Sequence, residues 1–269
     1  AVGQIARQRL CLGEHPVGDF PRTVILGGGS VYVANQGSED LTPKPSPETI
    51  MRLDATSGAV LATYTTPFGC APYGVLYNPF GPGGAEVYVS CERRSEVLVL
   101  DAALGSLLST IPLDWPDPRG MALSADGSRL YVAHFLTREP GATAHVSEID
   151  TLASPPAVIR VLDIPPDETT CETINSGKGV LNLLLGIHLI PSGAPGAVAD
   201  QLWVGGVLQN NLTKGLFKND QRFGGHADPM LCSGGPRNGR RCASDAECKP
   251  GICIESFAAI SRNLYKVSF

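Results

Sequence analysis

The sequence predicts an all-β protein, a β-propeller built from four-stranded blades. Two observations support this prediction: one pattern of strands recurs along the chain, and glycine and proline are abundant. The 269 residues include 31 glycines and 22 prolines, which suits many short strands joined by tight turns and disfavours long helices. A chain of this length can bury a full hydrophobic core.

Residues 121–134 show the recurring pattern most clearly. An apolar strand is followed by the polar turn SADGS and by a second strand, LYVA. A tight turn is expected there, because Asp accepts local backbone hydrogen bonds and Gly tolerates positive φ. The second strand contains strong β formers. Similar second strands occur at residues 31–35, 87–91 and 202–206.

A third and a fourth strand complete the repeating unit. The third strand ends in an aspartate, and Asp54, Asp101 and Asp150 lie 47 and 49 residues apart. A fourth strand follows a turn, over residues 59–64, 106–113 and 157–164. Such a recurrence is typical of propeller blades, which must stack around an axis to bury their faces. A β-sandwich is the alternative, but it does not predict the same four-strand pattern three times.

The phrases YVANQG, YVSCER and LYVAH, with the turn phrase LDATSGAVLATY, resemble the repeat of the YVTN-type, lactonase-like β-propeller family. The resemblance covers roughly residues 22–209. It implies the propeller fold, and a ring of seven blades of which this chain would supply about four. Because the family includes scaffolds, surface-layer proteins, lactonases and partners of redox enzymes, the resemblance leaves the function open.

Four regions are expected along the chain. They are a lead-in or ring-closing strand at 1–21, blades one to four at 22–225, a cysteine-rich insertion at 226–255, and a returning propeller strand at 256–269. The strand pattern fails after the second strand of the fourth blade. We therefore expect the chain to be truncated, with a downstream segment or another chain completing the ring. A four-bladed closure that uses residues 1–10 is the alternative.

Charge and hydropathy narrow the class of partner. The formal net charge is −5, so no global basic field would attract nucleic acid. No apolar run approaches the roughly 18–20 residues that a membrane-spanning helix requires. We expect no nucleic-acid partner and no membrane span. The expected partner is a protein or a small molecule at the mouth of the propeller channel.

Four of the eight cysteines lie in a segment almost devoid of large apolar side chains. Such a segment needs cross-links to hold a shape, and disulfides are the favoured interpretation. A Cys₄ zinc site is the alternative, although zinc ribbons usually carry paired C-x₂₋₄-C motifs, and the spacings here are nine, five and four residues. The four residues are Cys232, Cys242, Cys248 and Cys253.

The geometry of a blade predicts a disulfide between Cys70 and Cys91. Cys70 precedes the first strand of the second blade, and Cys91 closes its second strand. The two strands are antiparallel neighbours, so the Cα atoms are expected within the bridging range of about 4.4–6.8 Å. Cys11 and Cys171 would then pair by default. The whole set of cysteines predicts an extracytoplasmic location, either periplasmic or secreted.

Candidate ligand-binding residues are expected around the channel mouth. Loops that join fourth to first strands, and second to third strands, share that face of a propeller. Arg119 and His134 belong to one blade and would bind a carboxylate or polarise a carbonyl, unless they only cap loops and backbone carbonyls. The candidates are Asn35, Glu92, Arg119 and His134, with Gln36, Arg93, Asn210 and Asn211 nearby and His188 pointing into the channel or a blade interface.

Two functions are compatible with this sequence. The first is an extracytoplasmic scaffold for binding and interaction. The alternative is an enzyme or enzyme subunit, namely a lactonase-like hydrolase or a redox module whose cofactor lies elsewhere. A lactonase needs convergent carboxylates or histidines, often around a divalent metal, and Glu92 is the one clear acidic residue at a second-strand end. The sequence therefore favours the scaffold, identifies no catalytic residue, and shows no cofactor motif such as C-x-x-C-H.

Overall fold

The computed structural model describes residues 14–37, 46–137, 143–166, 180–195 and 200–209, with residue 246 and the short stretches 230–233, 249–250, 252–255 and 264–268. These residues form seventeen strands. Among them, no helix is long and apolar enough to cross a membrane.

The first three sheets have four antiparallel strands each, paired in chain order. The first sheet contains β1 (Pro21–Gly27), β2 (Ser30–Asn35), β3 (Thr49–Asp54) and β4 (Val60–Thr65). The second contains β5 (Pro72–Gly81), β6 (Gly84–Cys91), β7 (Glu96–Asp101) and β8 (Leu107–Pro112). The third contains β9 (Pro118–Leu123), β10 (Arg129–His134), β11 (Ala144–Asp150) and β12 (Ala157–Ile164).

The fourth sheet has three strands in the described residues. Strand β13 (Val180–Ile190) pairs with β14 (Gln201–Gln209), and β17 (Leu264–Ser268) pairs with the other edge of β14. Strands β15 (Met230–Ser233) and β16 (Ile252–Glu255) form a separate hairpin. Strand β13, with 11 residues, is longer than the other first strands, and an irregularity between Asn182 and Gly186 interrupts its pairing. The sequence could not reveal this extension, because an apolar run alone does not mark where a strand begins.

The four sheets pack against one another in the order of the chain. Strand β1 contacts β5, β5 contacts β9, and β9 contacts β13, so the first strands meet at the hub. Each second strand also reaches the first strand of the following sheet. Sheets that pack face to face with their first strands together form a β-propeller, and the predicted fold class is confirmed.

Apolar side chains fill each space between neighbouring blades. Strand residues alternate between the two faces of a sheet, so one blade supplies side chains to two different clusters. In the second blade, Val87 and Val89 pack towards the first blade, while Tyr88 packs towards the third. A further cluster joins the third blade to Leu184 and Val204 of the fourth.

The aspartate that ends each third strand holds the turn that follows it. The Oδ1 atom of Asp54 accepts hydrogen bonds from the backbone N–H groups of Thr56 (3.0 Å) and Ser57 (2.8 Å). The bonds from Ser57 and Thr56 lower the pKa of the Asp54 carboxyl. Asp101 accepts from Ala103 and Leu104 in the same way, and Asp150 accepts from the N–H of Leu152. The first two blades therefore share one turn held by the aspartate, and the third keeps its first hydrogen bond.

The disulfide predicted between Cys70 and Cys91 is present. The Cα atoms lie 4.4 Å apart and both residues are fully buried. Cys232 and Cys253 are register partners in the hairpin of β15 and β16. The other four cysteines lie outside the described residues: Cys11, Cys171, Cys242 and Cys248. The candidate residues Asn210 and Asn211 also lie outside them.

Replacement of both Cys70 and Cys91 by serine is expected to destabilise the propeller by about 3 kcal/mol, because the bond closes a loop with a sequence separation of 21. Urea unfolding without reductant measures the change. Reductant should lower the midpoint of the wild type more than that of the double variant. An unchanged midpoint in the variant would contradict a stabilising role.

Candidate functional site: the channel mouth

Each of the first three blades begins with the same backbone turn. A residue with positive φ precedes a proline that opens the first strand, and the proline pairs in register with the last residue of the second strand. Proline suits the first position of a strand because it has no N–H to donate. The residues with positive φ are Phe20 (51°), Ala71 (47°) and Asp117 (55°).

One hydrogen bond closes this turn in all three blades. The first residue after the second strand donates its backbone N–H to the carbonyl of the residue with positive φ. The donors are Gln36 (3.0 Å, to Phe20), Glu92 (3.4 Å, to Ala71) and Phe135 (2.8 Å, to Asp117). Two side-chain positions per blade are therefore held at the same edge of the propeller.

The first of these positions follows the proline, and the second follows the second strand. We call the six side chains at these positions the mouth cluster. Its members are Arg22 and Gln36 of the first blade, Tyr73 and Glu92 of the second, and Arg119 and Phe135 of the third.

A chain of hydrogen bonds crosses the three blades through the mouth cluster. Arg119 Nη2 donates to Glu92 Oε1 at 2.5 Å. Gln36 Nε2 donates to the other carboxylate oxygen of Glu92 at 3.3 Å. Arg22 donates from Nε, at 2.7 Å, and from Nη2 to the single oxygen Oε1 of Gln36. The chain ends on a charged guanidinium at each side.

Aromatic rings pack against both guanidinium groups. The guanidinium carbon of Arg119 lies 3.3 Å from the ring centre of Phe135 and 4.6 Å from that of Tyr73. The guanidinium carbon of Arg22 lies 5.7 Å from the same Tyr73 ring. The electron-rich ring faces attract these cations and orient them.

The two arginines of the cluster differ in exposure and in partner. Arg119 and Glu92 form an ion pair whose side chains are 19% and 14% exposed. In the described residues, the Nε atom of Arg119 is buried without a hydrogen-bond partner, and the Phe135 ring covers this guanidinium. Arg22 is exposed, and its partner is a neutral amide. Arg119 is therefore the fixed cation of the mouth and Arg22 the accessible one.

His134 lies behind the mouth, with its ring buried in the third blade. Its Nδ1–H donates to the Pro116 carbonyl at 2.9 Å, so Nε2 accepts a hydrogen bond from the Ser147 hydroxyl at 2.8 Å. Burial lowers the pKa of His134 to about 4, which keeps the ring neutral at pH 7. His134 and Ser147 are 2% and 1% exposed, so a substrate carbonyl cannot reach this pair.

Asn35 and His188 are not members of the mouth cluster. Asn35 is fully buried, and its Nδ2 donates to the Thr49 hydroxyl at 3.2 Å. Its Oδ1 is buried without a hydrogen-bond partner among the described residues. His188 is exposed on β13, in register with Trp203 of β14. Of the predicted ligand-binding residues, the structure brings Glu92 and Arg119 together, along with the nearby candidate Gln36.

Arg22, Tyr73 and Phe135 were not among the residues predicted from the sequence. A signal for the first two was present, because each follows the proline that opens a first strand, as Arg119 does. The proline marks the strand start, and the residue after it is placed at the mouth. In the part of the chain that the structure describes, no three side chains of His, Cys, Asp or Glu form a group that could hold a metal ion.

Comparison with known proteins gives short or distant matches. The chain is 37% identical over 97 residues to the protein YncE of Salmonella typhi, described as uncharacterised; the match covers 35% of this chain and 25% of YncE. A streptogramin B lyase structure matches at 14% identity and a TM-score of 0.43, over 71% of this chain and 51% of that one. The Dos1 propeller matches at 12% identity and a TM-score of 0.43, over 69% and 42%.

No protein-family profile matches the sequence. In all three comparisons the match spans well under two thirds of the other protein.

The buried neutral state of His134 predicts a loss of stability in acid. The unfolded chain takes up a proton near pH 6.5, whereas the folded protein resists protonation until about pH 4. Stability should therefore fall by about 2–3 kcal/mol between pH 7 and pH 4.5. His134→Asn, which removes the titrating ring, should lack this component of the pH dependence in urea unfolding.

His188→Asn is the matched control, since His188 is exposed. Its stability should follow the wild-type pH profile. If the profiles of His134→Asn and the wild type ran parallel, the buried neutral ring would not be the cause of the acid sensitivity.

Proposed function

We propose that this chain is part of an extracytoplasmic interaction scaffold, a YVTN-type, lactonase-like propeller whose channel mouth binds a ligand. The mouth cluster carries the proposal. Equivalent backbone positions of three blades bring two guanidinium groups, a carboxylate, an amide and two aromatic rings into one connected group. A small number of convergent polar groups beside an aromatic surface is typical of ligand sites.

The residue types at the mouth support a binding role over a purely structural one. Positions that maintain the fold repeat the same residue, as Tyr32 and Tyr88 do on the second strands. Of the two mouth positions, the one after the second strand keeps the backbone turn but carries glutamine, glutamate and phenylalanine in turn. The one after the proline carries arginine, tyrosine and arginine. Each turn also contains a non-glycine residue with positive φ, at a cost of about 1–3 kcal/mol that proteins tolerate mainly at functional sites.

Two further observations support the proposed location of this scaffold and the presence of a further blade beside the first. The buried Cys70–Cys91 disulfide is typical of proteins from oxidising compartments, which supports a periplasmic or secreted location. On β1, Val24 and Leu26 are 64% and 72% exposed, while Ile25 between them packs towards the second blade. This apolar face suits a further blade, which another segment or another chain would supply.

Small probes test the mouth as a binding site. Acetate, benzoate, inorganic phosphate, choline and glucose are added at millimolar concentrations, and the melting temperature is followed. At least one probe should raise it saturably in the wild type and not in Arg119→Met, because the variant removes the fixed cation of the mouth. Arg129→Met is the control, since Arg129 pairs with Asp150 at 3.0 Å outside the mouth. The proposal fails if no probe acts, or if Arg22→Met and Arg119→Met both keep every response.

A further inference from the structure

We propose that the mouth binds a carboxylate, and that Arg22 binds it in place of the side-chain oxygen of Gln36. This inference rests on the proposed function, because it names the ligand class of the same site. It starts from the way in which Arg22 and Gln36 are bonded.

The Nε and Nη2 edge of Arg22 has the geometry to bind a carboxylate, but in this structure it binds an amide oxygen. Both nitrogens donate to the single oxygen Oε1 of Gln36. That edge presents two N–H groups side by side, which match the two oxygens of a carboxylate. A carboxylate also carries a negative charge that attracts the guanidinium, which the neutral amide lacks. A carboxylate therefore satisfies this edge better than the amide does.

The charge of Arg22 is also open to an anion. In the described part of the chain Arg22 forms no ion pair, whereas four other arginines each have a carboxylate partner: Arg94, Arg119, Arg129 and Arg160. Arg22 is exposed, so a ligand reaches it without opening the fold. Its guanidinium donates to the Gln36 oxygen and lies near the Tyr73 ring.

The neighbouring acidic group does not repel such a ligand strongly. The carboxylate of Glu92 is paired with Arg119 at 2.5 Å, and it meets Gln36 only through a long bond of 3.3 Å. The six side chains of the mouth cluster together carry two positive charges and one negative charge. A bound carboxylate would balance them.

The ring of Tyr73 defines the rest of the ligand. Tyr73 is partly exposed, and its ring centre lies 5.7 Å from the guanidinium carbon of Arg22. A carboxylate on Arg22 would therefore bring the carbon atoms attached to it alongside this ring. The ligand class is a carboxylate joined to an apolar or aromatic body. A small organic acid and the carboxyl terminus of a protein both have this chemistry.

The role of Gln36 separates this proposal from simple electrostatic attraction. Gln36 occupies the edge that the carboxylate would take, so it competes with the ligand. Removal of Arg22 and removal of Gln36 should consequently have opposite effects on affinity. If Arg22 and Gln36 served only to join the first two blades, the removal of either side chain would change the affinity in the same direction.

The experiment measures benzoate binding to the folded protein by isothermal titration calorimetry, with benzamide as the neutral isostere. Benzoate should bind and benzamide should not. Arg22→Met should weaken benzoate binding by about tenfold or more, and Gln36→Ala should strengthen it by about fivefold. Arg94→Met is the matched control, because Arg94 is exposed and already paired with Glu96 at 2.5 Å, and it should bind as the wild type does.

Two peptides distinguish the sources of the carboxylate. A short peptide that ends in phenylalanine is compared with the same peptide carrying a C-terminal amide. Tighter binding of the free acid than of benzoate, abolished by amidation, would support a protein carboxyl terminus. Binding of benzoate alone would support a small organic acid.

Several results would overturn the carboxylate assignment. They are the absence of benzoate binding at millimolar concentration, equal binding by Arg22→Met, and weaker binding by Gln36→Ala. If phosphate or choline instead stabilises the wild type but not Arg119→Met, the mouth is a binding site and the ligand class is wrong. If no probe distinguishes the wild type from either Arg22→Met or Arg119→Met, both the site and the ligand class are wrong.

Discussion

Burial of both faces of each blade against its neighbours is the constraint on which this structure depends. A four-stranded sheet of this sequence has apolar side chains on both faces, and full burial of one such side chain contributes about 1.5–3 kcal/mol. Tyr32 and Tyr88 are at most 1% exposed because the following blade covers them. At the hub, Ser90 joins two blades: its hydroxyl donates to the Arg119 carbonyl at 2.9 Å and accepts from the Gly74 N–H at 2.8 Å.

The packing at the hub also explains why the mouth can carry function. When the first strands come together, the residue after each opening proline is brought to the same edge of the molecule. The fold determines where these side chains lie and leaves their chemistry free to vary. Gln36, Glu92 and Phe135 occupy equivalent positions and have different side chains, whereas buried positions between blades, such as those of Tyr32 and Tyr88, repeat similar ones. The rigid blades hold a polar cluster that no single blade could build.

The sequence predicted the repeating parts of this structure because local rules govern them. Asp54 and Asp101 could be placed at turns from their side-chain chemistry, and Cys70 and Cys91 could be paired from the antiparallel order of two strands. The mouth could be predicted only in part. The contacts of Arg119 with Tyr73 and Phe135 depend on backbone angles at the strand starts and on packing between blades. The burial of His134 could not be predicted either, because its residue type does not reveal which way its ring points.

The close approach of the second and third blades at the hub is the most direct test of this account. A Cβ atom added at Gly74 would lie 2.3 Å from the Arg119 carbonyl oxygen, whereas one added at Gly83 would meet nothing within 4 Å. We expect Gly74→Ala to lower the free energy of unfolding by about 2 kcal/mol or more and Gly83→Ala to change it by less than about 0.5 kcal/mol. Equally small effects of the two substitutions would contradict a hub in which these blades meet.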